Sequence, residues 1–331
     1  MKTIVTGGAG FIGSHLVKEL LDRGREVVIA DDFSRGNRLN LLDLGIQTEC
    51  QNIDLRDFPK TLKVTRGADT VFHLAARVGS LDWLHGSVEN ELEALQTNLV
   101  IDAHVFRGCI ENRVEKIIYA SSVSVYPTHL QNRPDIVFSE GDLQISEQGY
   151  GAIDPEGGYG WAKFLGELQL SWAKDLSVGI ARIFNIFGEN GALGDSTQVV
   201  PALIRKAIRY PKEEFIVWGD GKQSRDFLYV SNCVDALLKL EEKASNPPIV
   251  VNIGSEQAIT IGSLAEKIVE LSGKNIEIKY DHSKPMGPMS RTAVVTKSRN
   301  LLGWQSMVNL EEGLRRTYAW LEKRLQNEGG I

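Results

Sequence analysis

Tyr159 and Lys163 are the pair in this sequence best suited to chemistry. They bound the segment Tyr159-Gly160-Trp161-Ala162-Lys163, and a spacing of four puts both side chains on one helix face, a turn apart. A free phenol has a pKa of about 10, too high for a base at neutral pH. An ammonium one turn away favours the phenolate and lowers that value. The pair can then take a proton from a substrate hydroxyl. The run Ser121-Ser122-Val123-Ser124-Val125-Tyr126 follows an apolar stretch, 116–120, that reads as a strand. In open α/β sheets ligands sit at the carboxyl ends of strands. Ser122 is the candidate to share the hydrogen bond to the reacting hydroxyl. The alternative is a serine-rich strand end that caps its own backbone.

A second feature is built for phosphate. Thr6-Gly7-Gly8-Ala9-Gly10-Phe11-Ile12-Gly13 follows an apolar strand, residues 2–6, and opens a helical stretch, 12–23. Glycines at Gly7, Gly10 and Gly13 let the backbone turn tightly and approach a pyrophosphate, and the helix start, with Phe11 and Ile12, offers free N–H groups and the positive end of its dipole. The strand 26–30 runs into Asp31 and Asp32, about 20 residues beyond the glycines. A carboxylate there accepts hydrogen bonds from the adenosine ribose and repels a 2′-phosphate, so NAD is favoured over NADP; Arg35 and Arg38 nearby act in the opposite sense. Asp54 and Leu55 follow a third short segment, 48–50, where a loop would cover the adenine. Bound NAD would bring a nicotinium charge beside Tyr159, and Lys163 would also hold the nicotinamide ribose.

The elements that must position these groups alternate. Strand-like runs at 2–6, 26–30, 70–74 and 116–120 are separated by amphipathic helical stretches, the longest at 92–110, and a further helix spans 160–176. That rhythm means βαβ units with right-handed crossovers, a Rossmann-type doubly wound parallel sheet. Runs at 178–182 and 249–253 extend it, residues 127–158 read as a long polar loop, and 188–226 and 259–302 break the rhythm. The division is therefore a cofactor domain over 1–187, joined by about 227–258, and a smaller substrate-binding lobe from 188–226 and 259–321. Net charge is −6, which disfavours coating nucleic acid. Three scattered cysteines, Cys50, Cys109 and Cys233, suggest reduced thiols and no metal site. No apolar run approaches the ~18 residues of a membrane span. The expected location is the cytoplasm.

Taken together, these residues resemble the extended short-chain dehydrogenase/reductase family, in its branch of NAD-dependent nucleotide-sugar epimerases and dehydratases. The resemblance covers nearly the whole chain: TGGAGFIG at 6–13, HLAA at 73–76, SSVSVYP at 121–127, YGWAK at 159–163, RIFNIFG at 182–188 and WGDGKQSRDFLYV at 218–230. It implies that Leu74, Ala75 and Ala76 lie along the dinucleotide, with Asn98 near the active-site strand in a cofactor or structural role. It implies that Asn185, Arg225 and Arg291 take the diphosphate of a nucleotide-sugar, and that Val200 and Trp218 line its site. A guanidinium fork suits phosphate oxygens; each arginine would otherwise serve a surface ion pair. A homodimer through the helices near 92–110 and 163–176 follows by the same analogy.

The resemblance also bears on the reaction. Dehydratases and decarboxylases of the family carry a glutamate two residues after the catalytic serine or threonine, where this chain has Ser124. Stretches at 78–80, 217–221 and 310–318 look like GDP-mannose 3,5-epimerases, which use a cysteine at the place of Ser124 and a loop lysine; the loop 188–200 has no lysine, and Gln198 lies nearest. Ser124 is kept as a candidate catalytic residue. The expectation is C4 epimerisation through a transient 4-keto-sugar, as in the UDP-glucose 4-epimerase branch. A 3,5-epimerase-like activity and a net oxidoreductase are the alternatives, and a non-catalytic NAD-binding regulator stands last.

Overall fold

The computed structural model describes residues 1–79, 83, 86–143, 145–146, 149–150, 153–193, 198–284 and 287–327. Seven short apolar runs form one parallel sheet, in the order Ile249–Ile253, Ser177–Ile183, Lys116–Ser122, Thr70–His73, Lys2–Thr6, Glu26–Asp31, Glu49–Asn52. The chain starts in the middle, winds to one edge and returns to build the other half. The winding therefore reverses between Lys2–Thr6 and Thr70–His73, and a crevice opens there at the carboxyl ends of the strands.

Alternation along the strands fills both faces. Val5, Val27 and Ile29 join the cluster containing Leu16, Val17 and Leu20 of the helix Phe11–Asp22. Their neighbours Ile4, Val28 and Val71 join Val105, Phe106 and Cys109 of the helix Val88–Glu111. Each such side chain contributes about 1.5–3 kcal/mol by leaving water. Ser87 caps the latter helix, its Oγ accepting from Asn90 N at 3.2 Å, so the helix begins four residues before the apolar spacing showed.

The stretch 127–158 is more ordered than its polar composition suggests. It holds a helical turn at Thr128–Gln131 and a strand at Val137–Phe138 that pairs in parallel with Ser290–Ala293. A two-residue strand has no visible alternation, so its pairing comes from its partner. Ser290–Ala293 also pairs with Ser224–Tyr229, which pairs on its other side with Asn185–Phe187. The helices Val199–Arg209, Ile261–Ser272 and Leu310–Asn327 pack around this second sheet. In the first of them Val200, Leu203, Ile204, Ala207 and Ile208 are buried.

Candidate active site

A continuous cleft of about 1430 Å³ runs from the glycine loop, past the ends of Thr70–His73 and Lys116–Ser122, to the second sheet. Gly7, with φ of 69°, is at its start; a Cβ there would lie 2.8 Å from Ala75 N, and one on Gly13 would strike the Gly7 carbonyl. Gly10 caps the helix Phe11–Asp22 with no side chain, which leaves the first-turn amides without a side-chain acceptor. That backbone cradle, closed by Leu74, Ala75 and Ala76, fits the pyrophosphate of a dinucleotide.

The ribose end is more particular than the sequence shows. Asp31 is buried, and its carboxylate accepts from Ala9 N at 2.9 Å and Phe33 N at 2.8 Å. It holds the loop in shape while still lining the cleft, and burial raises its pKa, those two amides acting against it. Asp32 accepts from the amide and hydroxyl of Ser34. Ile53, Leu55 and Arg56 line the cleft, whereas Asp54 turns to solvent and chelates Arg56. Of the two residues expected at the adenine, Leu55 lines the cleft and Asp54 is paired with Arg56 at its rim. For Asn98 the structural alternative holds in the protein by itself. It is fully buried outside the cleft, accepts from Arg77 N at 2.7 Å and donates to the carbonyls of Arg77 and Ala94. It pins the loop after Thr70–His73 and has no donor left for a cofactor.

Tyr159 and Lys163 lie side by side on the helix Gly157–Ser171 and line the middle of the cleft. Ser122, at the end of its strand, lines the cleft with Tyr159 and accepts from Ser124 N at 3.1 Å. Lys163 Nζ sits 5.9 Å from the Tyr159 ring centre and 4.6 Å from that of Tyr119. Burial pushes the phenol up to about 12, the bond from Ser122 pulls down, and Asp102 pushes up. Burial thus dominates in the protein by itself, and the lowering read from the sequence calls on the nicotinium charge of NAD together with Lys163. Burial also lowers the pKa of Lys163, while Asp102 and Glu167 raise it. Behind them Tyr119 donates to Asp102 at 2.6 Å, and Asp102 bonds His73 at 2.9 Å.

At the far end Arg225 and Arg291 stand at one register position on neighbouring strands. Burial pushes Arg225 down to about 9, repulsion from Arg291 adds to this, and Glu156 opposes it. Two desolvated guanidiniums facing one cleft form an anion site. Gln223 Oε1 beside them is buried with no partner among the described residues. Asn185, Val200 and Trp218 line this end, and Asn185 also donates to the Asp226 carbonyl at 3.1 Å. The sequence reading missed Glu156, which reaches both Ser124 and Arg291. Its only sequence signal was an acidic residue just ahead of the catalytic helix.

Glycine cradle, Tyr-Ser-Lys cluster and paired arginines thus follow one another along a single crevice. The family model for NAD-dependent epimerases and dehydratases matches residues 3–254.

The chain belongs to the NAD-dependent epimerase/dehydratase family.

NAD is the cofactor of this family, and the cradle fits it. GDP-mannose 3,5-epimerase 1 of Oryza sativa subsp. japonica is 29% identical over 331 residues, covering 99% of this chain and 83% of its own length. UDP-N-acetyl-alpha-D-glucosaminuronate decarboxylase of Bacillus cytotoxicus is 32% identical, covering 99% of both chains. Among family structures, UDP-glucose 4-epimerase of Thermotoga maritima with UDP-glucose superposes with a TM-score of 0.86 at 28% identity, covering 98% of this chain and 100% of that one. One fold thus carries epimerases and decarboxylases, so the reaction is decided by the side chains at the sugar end.

Proposed function

We propose that the protein is a C4 epimerase of a nucleoside-diphosphate hexose. The carrying observation is the Tyr159–Ser122 hydroxyl pair beside Lys163, midway between the glycine cradle and the Arg225/Arg291 pair. Bound NAD supplies a hydride acceptor and a positive ring next to the phenol. Tyr159 takes the proton of the C4 hydroxyl, Ser122 orients that oxygen, and Lys163 balances the phenolate charge. Arg225 and Arg291 would hold the diphosphate as a tether about which the keto-sugar turns, presenting either face to the cofactor cradle. Lobe residues 188–226 and 259–321 would carry the nucleotide-sugar, and 1–187 with about 227–258 the cofactor.

The test is a panel of UDP-, GDP- and dTDP-hexoses incubated with the NAD-loaded enzyme. C4 interconversion on at least one nucleotide, with NAD retained, is the expected result. Net release of NADH without isomerisation would replace the reading by an oxidoreductase.

A homodimer belongs to the same proposal. Leu92 on Val88–Glu111 is 51% exposed, and on the neighbouring helix Gly157–Ser171 and its C-cap Trp161 and Trp172 are 39% and 65% exposed. A second copy would cover these apolar groups. The cytoplasm suits the three cysteines, which are all free. No described helix is long and apolar enough to cross a membrane.

A further inference from the structure

The sequence places only a hydroxyl, Ser124, where a second proton-handling group would stand, yet the fold brings a carboxylate to it. Glu156 occupies the N-cap position of the helix Gly157–Ser171, but its side chain makes no capping bond there. Instead, Ser124 Oγ donates to Glu156 Oε2 at 3.0 Å, Glu156 N donates to the Ser124 carbonyl at 2.8 Å, and the Arg291 guanidinium closes on the same carboxylate. A Cβ on Gly160 would strike the Ser124 carbonyl, so the glycine keeps the two segments in contact. Glu156, just ahead of the helix, and Tyr159, in its first turn, both line the cleft. The sugar end therefore holds two separate proton-handling groups: Tyr159 with Ser122 and Lys163, and Glu156 with Ser124 and Arg291.

We propose that Glu156 is a second catalytic acid/base, which removes and returns a proton at the carbon next to the sugar ketone. This rests on the keto-sugar reading above and extends the activity to exchange, and thereby epimerisation, at C3 or C5. The ketone makes the neighbouring C–H acidic. As that bond breaks, its electron pair forms the C=C of an enolate, the ketone oxygen takes the negative charge, and the proton goes to the Glu156 carboxylate. Return of a proton to carbon restores the ketone, with no oxidant or reductant consumed. Arg291 serves both the carboxylate and the anion site, so a bound diphosphate competes for it and frees a Glu156 oxygen to meet the sugar. The Glu156 side chain is 13% exposed, and its proton can exchange with water.

The experiment supplies the ketone ready-made. Uridine-, guanosine- and thymidine-diphospho-4-keto-6-deoxyhexoses are mixed with the NAD-loaded protein in heavy water, and deuterium at C3 and C5 is read by NMR and mass spectrometry. Label should enter at least one of them ~10-fold or more faster than in buffer, and Glu156→Gln should lose at least ~10-fold of that rate. Labelling at the buffer rate by the wild-type protein, or undiminished labelling by a folded Glu156→Gln, overturns the proposal. Should Glu156→Gln fail to fold, Glu156→Asp and Ser124→Ala decide: slowing in both supports it, and unchanged labelling in both overturns it. Hexose interconversion is followed in separate reactions, so loss of C4 chemistry and absence of exchange remain distinguishable.

Discussion

Arg225 and Arg291 face each other across two parallel strands, with no residue of offset. Like charges so placed repel, and both are largely buried. The arrangement is tolerable because Glu156 neutralises one of them, and it becomes favourable when an anion joins them. Arg225→Met should therefore raise KM for the nucleotide-sugar about 10–100-fold, the loss of a charge-assisted hydrogen bond of ~1.5–3 kcal/mol. NAD affinity should not change, because the cradle lies at the other end of the cleft. Steady-state kinetics beside a cofactor titration checks this; an unaltered KM would remove the diphosphate from this site.

Tyr159→Phe deletes one oxygen and leaves the helix and the Lys163 position in place. Turnover should fall by about 10²–10⁴-fold, the usual contribution of a positioned acid/base, with NAD still bound. Near-normal turnover in that variant would end the phenol's role. The wild-type rate should also rise with pH. Burial holds the phenol protonated, up to about 12, so the ionised fraction grows as pH climbs toward that value. Bound NAD brings a cation that shifts this limb to lower pH. A phenol whose ionisation, read by ultraviolet difference against Tyr159→Phe, has the same midpoint in NAD-loaded and NAD-free protein would contradict that charge argument.

Much of this site was legible because it is local in sequence. The glycine triplet, Asp31 and the Tyr159/Lys163 spacing each lie within one turn or loop, where residue type and period dictate geometry. The second sheet was not legible: Val137–Phe138 joins Ser290–Ala293 from a distant part of the chain, and nothing in two residues announces a partner. Glu156 was missed for a related reason. Its contacts, Ser124 and Arg291, come from segments far apart in sequence, so absence of an acid at position 124 looked like absence of an acid. For Asn98 the sequence left a cofactor and a structural role open, because its partners, the backbone of Arg77 and Ala94, are not announced by residue type.

Gly13→Ala tests the cradle directly. The added methyl meets the Gly7 carbonyl, which is backbone and cannot step aside as a flexible side chain would. Overpacking of this sort costs about 1–3 kcal/mol and widens the loop where phosphate must approach. NAD binding, followed by calorimetry, should weaken by at least ~10-fold, with a lower melting temperature. Gly24→Ala is the comparison: Gly24 has φ of 72° and open space around it, so it should lower stability by about 1 kcal/mol through backbone strain while cofactor affinity holds.

The buried relay behind Lys163 sets the acid limit of the fold. His73 Nδ1 lies 2.7 Å from Thr6 Oγ1 and Nε2 lies 2.9 Å from Asp102 Oδ1, with the ring fully buried. Burial lowers its pKa below the ordinary 6.5, and the Asp102 bond only partly offsets this. The native ring is therefore neutral, whereas the unfolded chain takes up a proton below about 6.5. Stability is complete above that pH and falls as pH drops toward the native value, by up to ~1.4 kcal/mol per pH unit. His15, lowered first by burial, adds to the same slope. Melting temperatures measured between pH ~7 and ~5, above the range where carboxylates titrate, should decline in the wild type. His73→Gln should be less stable at neutral pH yet show a shallower decline, leaving the part that belongs to His15. An equal slope in both proteins would show that His73 has the same pKa folded and unfolded, with the Asp102 carboxylate cancelling desolvation.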